Sequence, residues 1–144
     1  MYFRNEYYFL SNMYPCKITL TRKSDNKEFT FGCVECAFQA CKEPSKMELF
    51  TGLNGYDAKK LGRRVNLPHN WNAVKVNVME VILRKKFADE TLLNLLCNIP
   101  GEIVEDNNWN DRYWGRCNNI GSNVLGKLLM KIRDEQLNKI SAVQ

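Results

Sequence analysis

Two stretches of this 144-residue chain carry the residue types that acid–base or nucleophilic chemistry needs. The first is Glu35, Gln39 and Lys42. Spaced four and three apart, their side chains align on one ridge of a helix, which holds a carboxylate and an amine in fixed relation. A solvated ion pair has the same spacing, so the pattern alone leaves both a catalytic pair and a surface pair open. The second stretch runs from Asn107 to Gly115, where Trp109, Tyr113 and Trp114 interleave with asparagine, Asp111 and Arg112. Either these rings pack as a hydrophobic plug or they line a site for a planar group such as a nucleobase.

Other chemistries find little support. The sequence holds no phosphate-binding G-x-x-x-x-G-K-[ST] loop, no G-x-G-x-x-G fingerprint and no G-x-S-x-G elbow, and its lone histidine, His69, is poor material for a triad. Cys33 and Cys36 form a C-x-x-C with Cys41 close behind, but Cys16, Cys97 and Cys117 are scattered. Tetrahedral zinc needs four well-placed ligands, so reduced thiols are expected, with no metal and no cofactor.

The elements that position these residues follow from periodicity. Residues 16–21 and 27–31 alternate apolar with polar side chains around Ser24-Asp25-Asn26, which predicts a hairpin. From Val34 to Lys42 the apolar residues Val34, Ala37, Phe38 and Cys41 follow i, i+3, i+4, i+7, and Pro44 ends the pattern. A second helix is expected from Asp57 as N-cap to about Arg63. A third starts near Asn70 or Asn72, with Val74, Val78, Val81 and Ile82 on its inner face. Asp89 caps a leucine-rich fourth helix closed by Asn98, Pro100 and Gly101. Ile103 and Val104 predict a short extended piece, and after Gly121-Ser122 a last helix buries Leu125, Leu128, Leu129 and Ile132. The expected fold is mainly α: a single multihelical domain over residues 1–144 with a small N-terminal β-hairpin.

With 44% hydrophobic and 26% charged residues the chain can bury a core large enough to hold a pocket. No apolar run approaches the roughly 20 residues that span a bilayer, and Met1 to Glu6 lacks the basic start of a signal peptide. A cytoplasmic location, with no membrane association and no stable protein partner, is expected. The net charge of +5 favours approach of a phosphate-bearing ligand. Clusters such as Lys59, Lys60, Arg63 and Arg64, or Arg84, Lys85 and Lys86, are more often solvated helix faces than binding sites.

Several segments, taken in order, form a more specific pattern. They are Phe9-Leu10-Ser11-Asn12-Met13-Tyr14-Pro15, the run Val34 to Lys42, and Ala58-Lys59-Lys60-Leu61-Gly62-Arg63-Arg64-Val65. Trp71, Lys75, Val78-Met79 and Lys86-Phe87 follow, then Ile103-Val104-Glu105, Asp111-Arg112-Tyr113-Trp114-Gly115 and the run Asn123 to Met130. This ordered set resembles the NADAR (YbiA-like) family of N-glycosidases from about Phe9 to Arg133. It departs from the family pattern at Cys36, Cys41 and Asn107 to Asn110, positions that bear on substrate choice.

The resemblance implies hydrolysis of the bond between a ribose anomeric carbon and nitrogen, through an electron-poor, oxocarbenium-like carbon. Glu35, Lys42 and Asp111 are the catalytic positions it implies, the carboxylates for acid–base work and Lys42 for a Schiff base with the ring-opened sugar. A nucleophilic lysine must be neutral, yet the end of its helix and nearby Glu35 favour the charged form, so burial has to prevail. Expected substrate contacts are Asn12 and Gln39 to ribose hydroxyls, Arg63 (or Arg64 or Arg116) to phosphate, and Trp114, Trp71 or Trp109 to a base, with Gly115 in the same core motif. Trp71 serves equally well as a hydrophobic staple, and Gly62 and Gly126 as points of close helix packing. The implied substrate is an ADP-ribosylated nucleobase, in nucleotide or nucleic acid. A phosphoribosylamino pyrimidine of riboflavin synthesis is the alternative, and a non-catalytic module binding ADP-ribose or NAD-derived nucleotides is the alternative of another class.

Overall fold

The computed structural model describes residues 1–143, and its backbone groups into two compact units, residues 12–86 and residues 1–11 with 87–143. The first opens with the expected hairpin, β1 (Ile18–Thr21) antiparallel to β2 (Glu28–Phe31). Alternation decides its two faces: Ile18, Leu20, Phe29 and Phe31 turn inward, while Thr19 and Thr30 pair across the outer face with their hydroxyls 2.9 Å apart. Asn26 takes the left-handed conformation (φ 58°) that the turn requires. The strands are shorter than the alternation, although the Cys16 N–H still bonds the Gly32 carbonyl at 2.9 Å.

Against this hairpin lies α1 (Val34–Ala40), in which every residue but Glu35 is buried. A helix enclosed this way must pack on several sides, and α1 meets the hairpin, a 3₁₀ segment at Pro44–Phe50, α2 (Gly55–Gly62) and α3 (Trp71–Lys86). The cap of α2 differs from expectation. Asn54 is the N-cap, and its side chain accepts the Asp57 N–H at 2.8 Å, so Asp57 sits inside the first turn, where its charge suits the helix dipole. The buried face of α3 is also rotated from the expected one. Met79, Ile82, Leu83 and Lys86 point inward with Trp71, while Val81 is 53% exposed and Val74 and Val78 are only partly covered. The larger side chains have more apolar area to bury, and their i, i+3, i+4, i+7 spacing wins over the valines.

In the second unit Asp89 caps α4 (Glu90–Cys97) as expected, accepting the Leu92 N–H at 3.0 Å. Only Leu92 and Leu96 of its leucines are buried, against α5 (Val124–Val143), whose inner face is the predicted Leu125, Leu128, Leu129 and Ile132. The buried Arg133 of α5 donates to the carbonyls of Ile99 and Gly101 at 2.9 and 2.6 Å, satisfying backbone that follows α4. The extended piece expected at Ile103-Val104 falls later, where β3 (Asp106–Asn107) runs parallel to β4 (Arg116–Cys117). A 3₁₀ segment at Asn5–Leu10, like that at Pro44–Phe50, lacks a long apolar period and was not expected. The mainly helical fold with a hairpin near its start is as expected. Among the described residues no helix is long and apolar enough to cross a membrane.

Candidate active site

In residues 12–86 the candidate chemistry is gathered at α1. Cys33 precedes the helix in extended conformation, and the Asn12 carbonyl accepts the Glu35 N–H at 2.9 Å, so Asn12 supplies a cap to the first turn through its backbone. One turn on, Gln39 Nε2 donates to Glu35 Oε1 at 2.8 Å. The carboxylate and amide of the predicted ridge are thus joined directly. Lys42 lies just past the helix, beyond the Cys41 C-cap, with its N–H on the Gln39 carbonyl at 3.1 Å. It is half-buried, and burial is the largest influence on its ammonium, pushing the pKa down. The Glu35 charge opposes this, while Arg63 and Lys59 of the α2 region add to it. Desolvation therefore prevails over the fields that favour a charged lysine, as a nucleophilic role requires.

The other sequence candidates in this unit are placed less uniformly. Asn12 Nδ2 approaches Met79 Sδ at 3.8 Å, and both Asn12 Oδ1 and Gln39 Oε1 are buried with no hydrogen-bond partner among the described residues. Gln39 is buried against Glu35 on one side and Gly62 on the other, an arrangement that favours a partner role over free display to a sugar. Arg63 is exposed at the end of α2, near enough to Lys42 to influence it. Trp71 is 7% exposed and packs on Phe38 with ring centroids 5.3 Å apart, which is the core role rather than a display for stacking.

Thiol chemistry flanks Glu35. Cys33 and Cys36 place their sulfurs 3.2 Å apart, and Cys36 Sγ also reaches the Leu53 carbonyl at 3.2 Å. Their mutual hydrogen bond pulls the Cys33 pKa down to about 7 against burial, and that of Cys36 is driven up. The described residues hold no group of three or more His, Cys, Asp or Glu side chains suited to a metal ion.

In the second unit Asp111 is held by its loop. Its Oδ1 accepts the N–H groups of Tyr113 and Trp114 at 3.1 and 2.9 Å, an Asx-type turn, and Asn107 clasps its backbone from both sides, Oδ1 to the Asp111 N–H at 3.0 Å and Nδ2 to its carbonyl at 2.8 Å. Asn107 Nδ2 also donates to Glu105 Oε2 at 2.9 Å. Asn123 adds a second clasp, accepting the Glu105 N–H and donating to the Ile103 carbonyl, both at 2.9 Å. Gly115 is buried where a Cβ would overlap Glu105 Oε2 and the Glu105 carbonyl, so its first duty is to let Glu105 lie there. Tyr113 and Trp114 meet edge to face at 5.0 Å, while Trp109 is 57% exposed, so the aromatic loop is not a closed plug.

Nothing in the local sequence pattern marks the side chains of Glu105, Asn107 and Asn123 as structural stitches. Burial alternates over Ile103, Glu105 and Asn107, the period of an extended segment, but polar residues at its inward positions look like surface.

Comparison with known proteins places the chain in a family. Residues 1–137 match the NADAR domain, and the chain belongs to that family. The N-glycosidase YbiA of Shigella flexneri is 41% identical over 83 residues, 54% of this chain and 51% of the relative, so the match spans about half the length of that protein. The riboflavin biosynthesis protein VVA0006 of Vibrio vulnificus is 30% identical over 135 residues, 88% of this chain and 35% of that protein. The solution structure of Escherichia coli YbiA superposes with a TM-score of 0.77 at 33% identity, covering 96% of this chain and 85% of that one.

Proposed function

We propose that the chain hydrolyses an N-glycosidic bond between the anomeric carbon of a ribose and a nitrogen. The observation that carries this reading is that Glu35 on α1 and Lys42 just past it lie within each other's electrostatic reach, with burial pushing the Lys42 pKa down. Relatives named N-glycosidases support it. As the nitrogen leaves, C1 becomes electron-poor. Glu35 takes a proton from water as its oxygen adds to C1 and returns it to the departing nitrogen. In the covalent route the neutral Lys42 amine adds to C1 of the ring-opened sugar, the nitrogen is expelled with a proton, and water then hydrolyses the Schiff base and frees the lysine. Arg63 is the phosphate contact in this reading.

The favoured substrate is an ADP-ribosylated nucleobase. The relative named for riboflavin biosynthesis supports a second, a phosphoribosylamino pyrimidine. Incubating the protein with ADP-ribosylated guanine in DNA and, separately, with the pyrimidine distinguishes them: ADP-ribose release selects the first and ribose 5-phosphate release the second. Borohydride added during turnover traps the sugar on Lys42, seen by peptide mass spectrometry, if the covalent route operates. Tight ADP-ribose binding in calorimetry with no release from either substrate overturns the enzymatic reading in favour of a binding module.

A further inference from the structure

The Gln39 side chain raises a problem of its own. It is 5% exposed, and only one end of its amide is engaged: Nε2 donates to Glu35 Oε1 at 2.8 Å, while the buried Oε1 has no hydrogen-bond partner among the described residues. A buried acceptor left unpaired is costly, and a methionine would fill the same volume without that cost. Opposite the idle oxygen stands Gly62 of α2, where a Cβ would overlap Gln39 Oε1 and lie 2.7 Å from Gln39 Cδ. Backbone thus comes up to the amide with the smallest possible residue.

The amide has one property that methionine lacks, because its ends have opposite hydrogen-bonding character. An ionised carboxylate only accepts, so the nitrogen must face it. A protonated carboxyl carries a donor, and a half-turn about Cγ–Cδ presents the oxygen to that donor instead. An idle acceptor beside a carboxylate is what such a partner shows while the carboxylate is charged.

We propose that Gln39 is the positioning residue of Glu35, holding the carboxylate through Nε2 and, by turning over, accepting from the protonated carboxyl through Oε1, in space that Gly62 leaves open. The proposal deepens the reading above and rests on Glu35 as the group that takes up and returns a proton. Titratable groups that interact with Glu35 are Cys33 and Cys36 on its own turn and Lys42 just past α1; Lys59 and Arg63 at α2 act on Lys42, and Cys33 acts on Lys86 of α3.

The test needs no substrate. The Glu35 carboxyl is titrated by carbon-13 NMR in the full chain labelled at glutamate, its resonance assigned with Glu35→Gln. Gln39→Met keeps volume and removes both hydrogen bonds; because the bond to the charged carboxylate is the stronger of the two, the Glu35 midpoint is expected to rise, by about one pH unit. Gln39→Glu, which sets a second carboxyl against the first, is expected to raise it further, and Gly62→Ala, which pushes the amide aside, to raise it less. If the wild-type chain turns over a glycoside, the acid limb of its kcat/KM profile moves with the midpoint in Gln39→Met. An unchanged Glu35 midpoint in all three variants overturns the proposal, because packing alone does not move a titration. Absence of turnover with a shifted midpoint sinks the proposed activity and leaves the partnership standing.

Discussion

The turn of α1 and the loop from Glu105 to Asn123 each present a carboxylate, but they hold it by different means. Glu35 stands on a helix whose other residues are buried, so its place is set by packing on several sides. Asp111 is fixed by polar side chains gripping backbone: its own Oδ1, the two ends of Asn107, and the Asn123 clasp behind Glu105. The loop also uses asparagine for its sharp turns, with Asn110, Asn118, Asn119 and Asn123 all in the left-handed region. Packing is distributed and yields gradually; a stitched loop depends on a few bonds. The first scaffold should absorb a small intrusion, and the second should not.

The sharpest way to break this contrast is to add one methyl group to each. Gly115→Ala drives a Cβ into a backbone carbonyl and the clasped Glu105 carboxylate, neither free to withdraw. A loss of about 3 kcal/mol or more in urea unfolding is expected, since overpacking against rigid atoms is at the upper end of such effects. A loss under about 1 kcal/mol, the ordinary size of a mild substitution, refutes the rigidity claimed for the loop.

The two scaffolds also differ in how far the sequence disclosed them. Helix α1 was legible because its signal is local, an apolar period in which Glu35 and Gln39 fall on one turn. Where local signals competed, the outcome turned on details that a pattern lacks. Asn54 and Asp57 are both capping residues, and the chain uses the side chain of one on the N–H of the other. On α3 the valines and the bulkier Met79 and Leu83 offered rival faces, and size decided. The aromatic-acidic loop was visible as a candidate, but its stitching was not. The Asn123 side chain bonds Ile103 and Glu105, 20 and 18 residues away in sequence, a relation that no local period records.

The helical layer carries its cost elsewhere, in a buried cation. Lys86 is 2% exposed with its Nζ 5.6 Å from the centre of the Tyr14 ring, and burial lowers its pKa to about 8, the charges of Cys16 and Cys33 opposing. Below pH 8 both folded and unfolded chains hold the proton, and the fold bears the whole cost of the buried charge. Between pH 8 and 10.5 the unfolded chain keeps a proton that the folded one has released, so stability rises with pH. Over that interval wild type is expected to gain about 2 to 3 kcal/mol relative to Lys86→Met, from the roughly 1.4 kcal/mol that each pKa unit represents. A flat difference between the two denaturation curves would contradict the burial cost. Smaller again is Gly62→Ala, where the intruding Cβ meets the movable end of Gln39: about 1 to 2 kcal/mol is expected, and a loss equal to that of Gly115→Ala erases the contrast.

The smallest stability effect separates scaffold from chemistry at Asp111. Only Oδ1 of this carboxylate serves the turn, and an amide oxygen accepts the Tyr113 and Trp114 N–H groups equally well. Asp111→Asn should therefore leave the melting curve within about 0.5 kcal/mol of wild type, the usual range for a substitution that spares such features. Asp111→Ala removes the acceptor and should cost about 1 kcal/mol. A scaffold role alone predicts that the asparagine variant retains turnover, because the loop is intact. An acid–base role predicts that it loses roughly 100-fold or more, the contribution of a positioned proton-transfer group, without losing stability. Parallel unfolding and single-turnover measurements on the two variants decide the matter: full activity in Asp111→Asn would reduce the aspartate to a stitch in its loop.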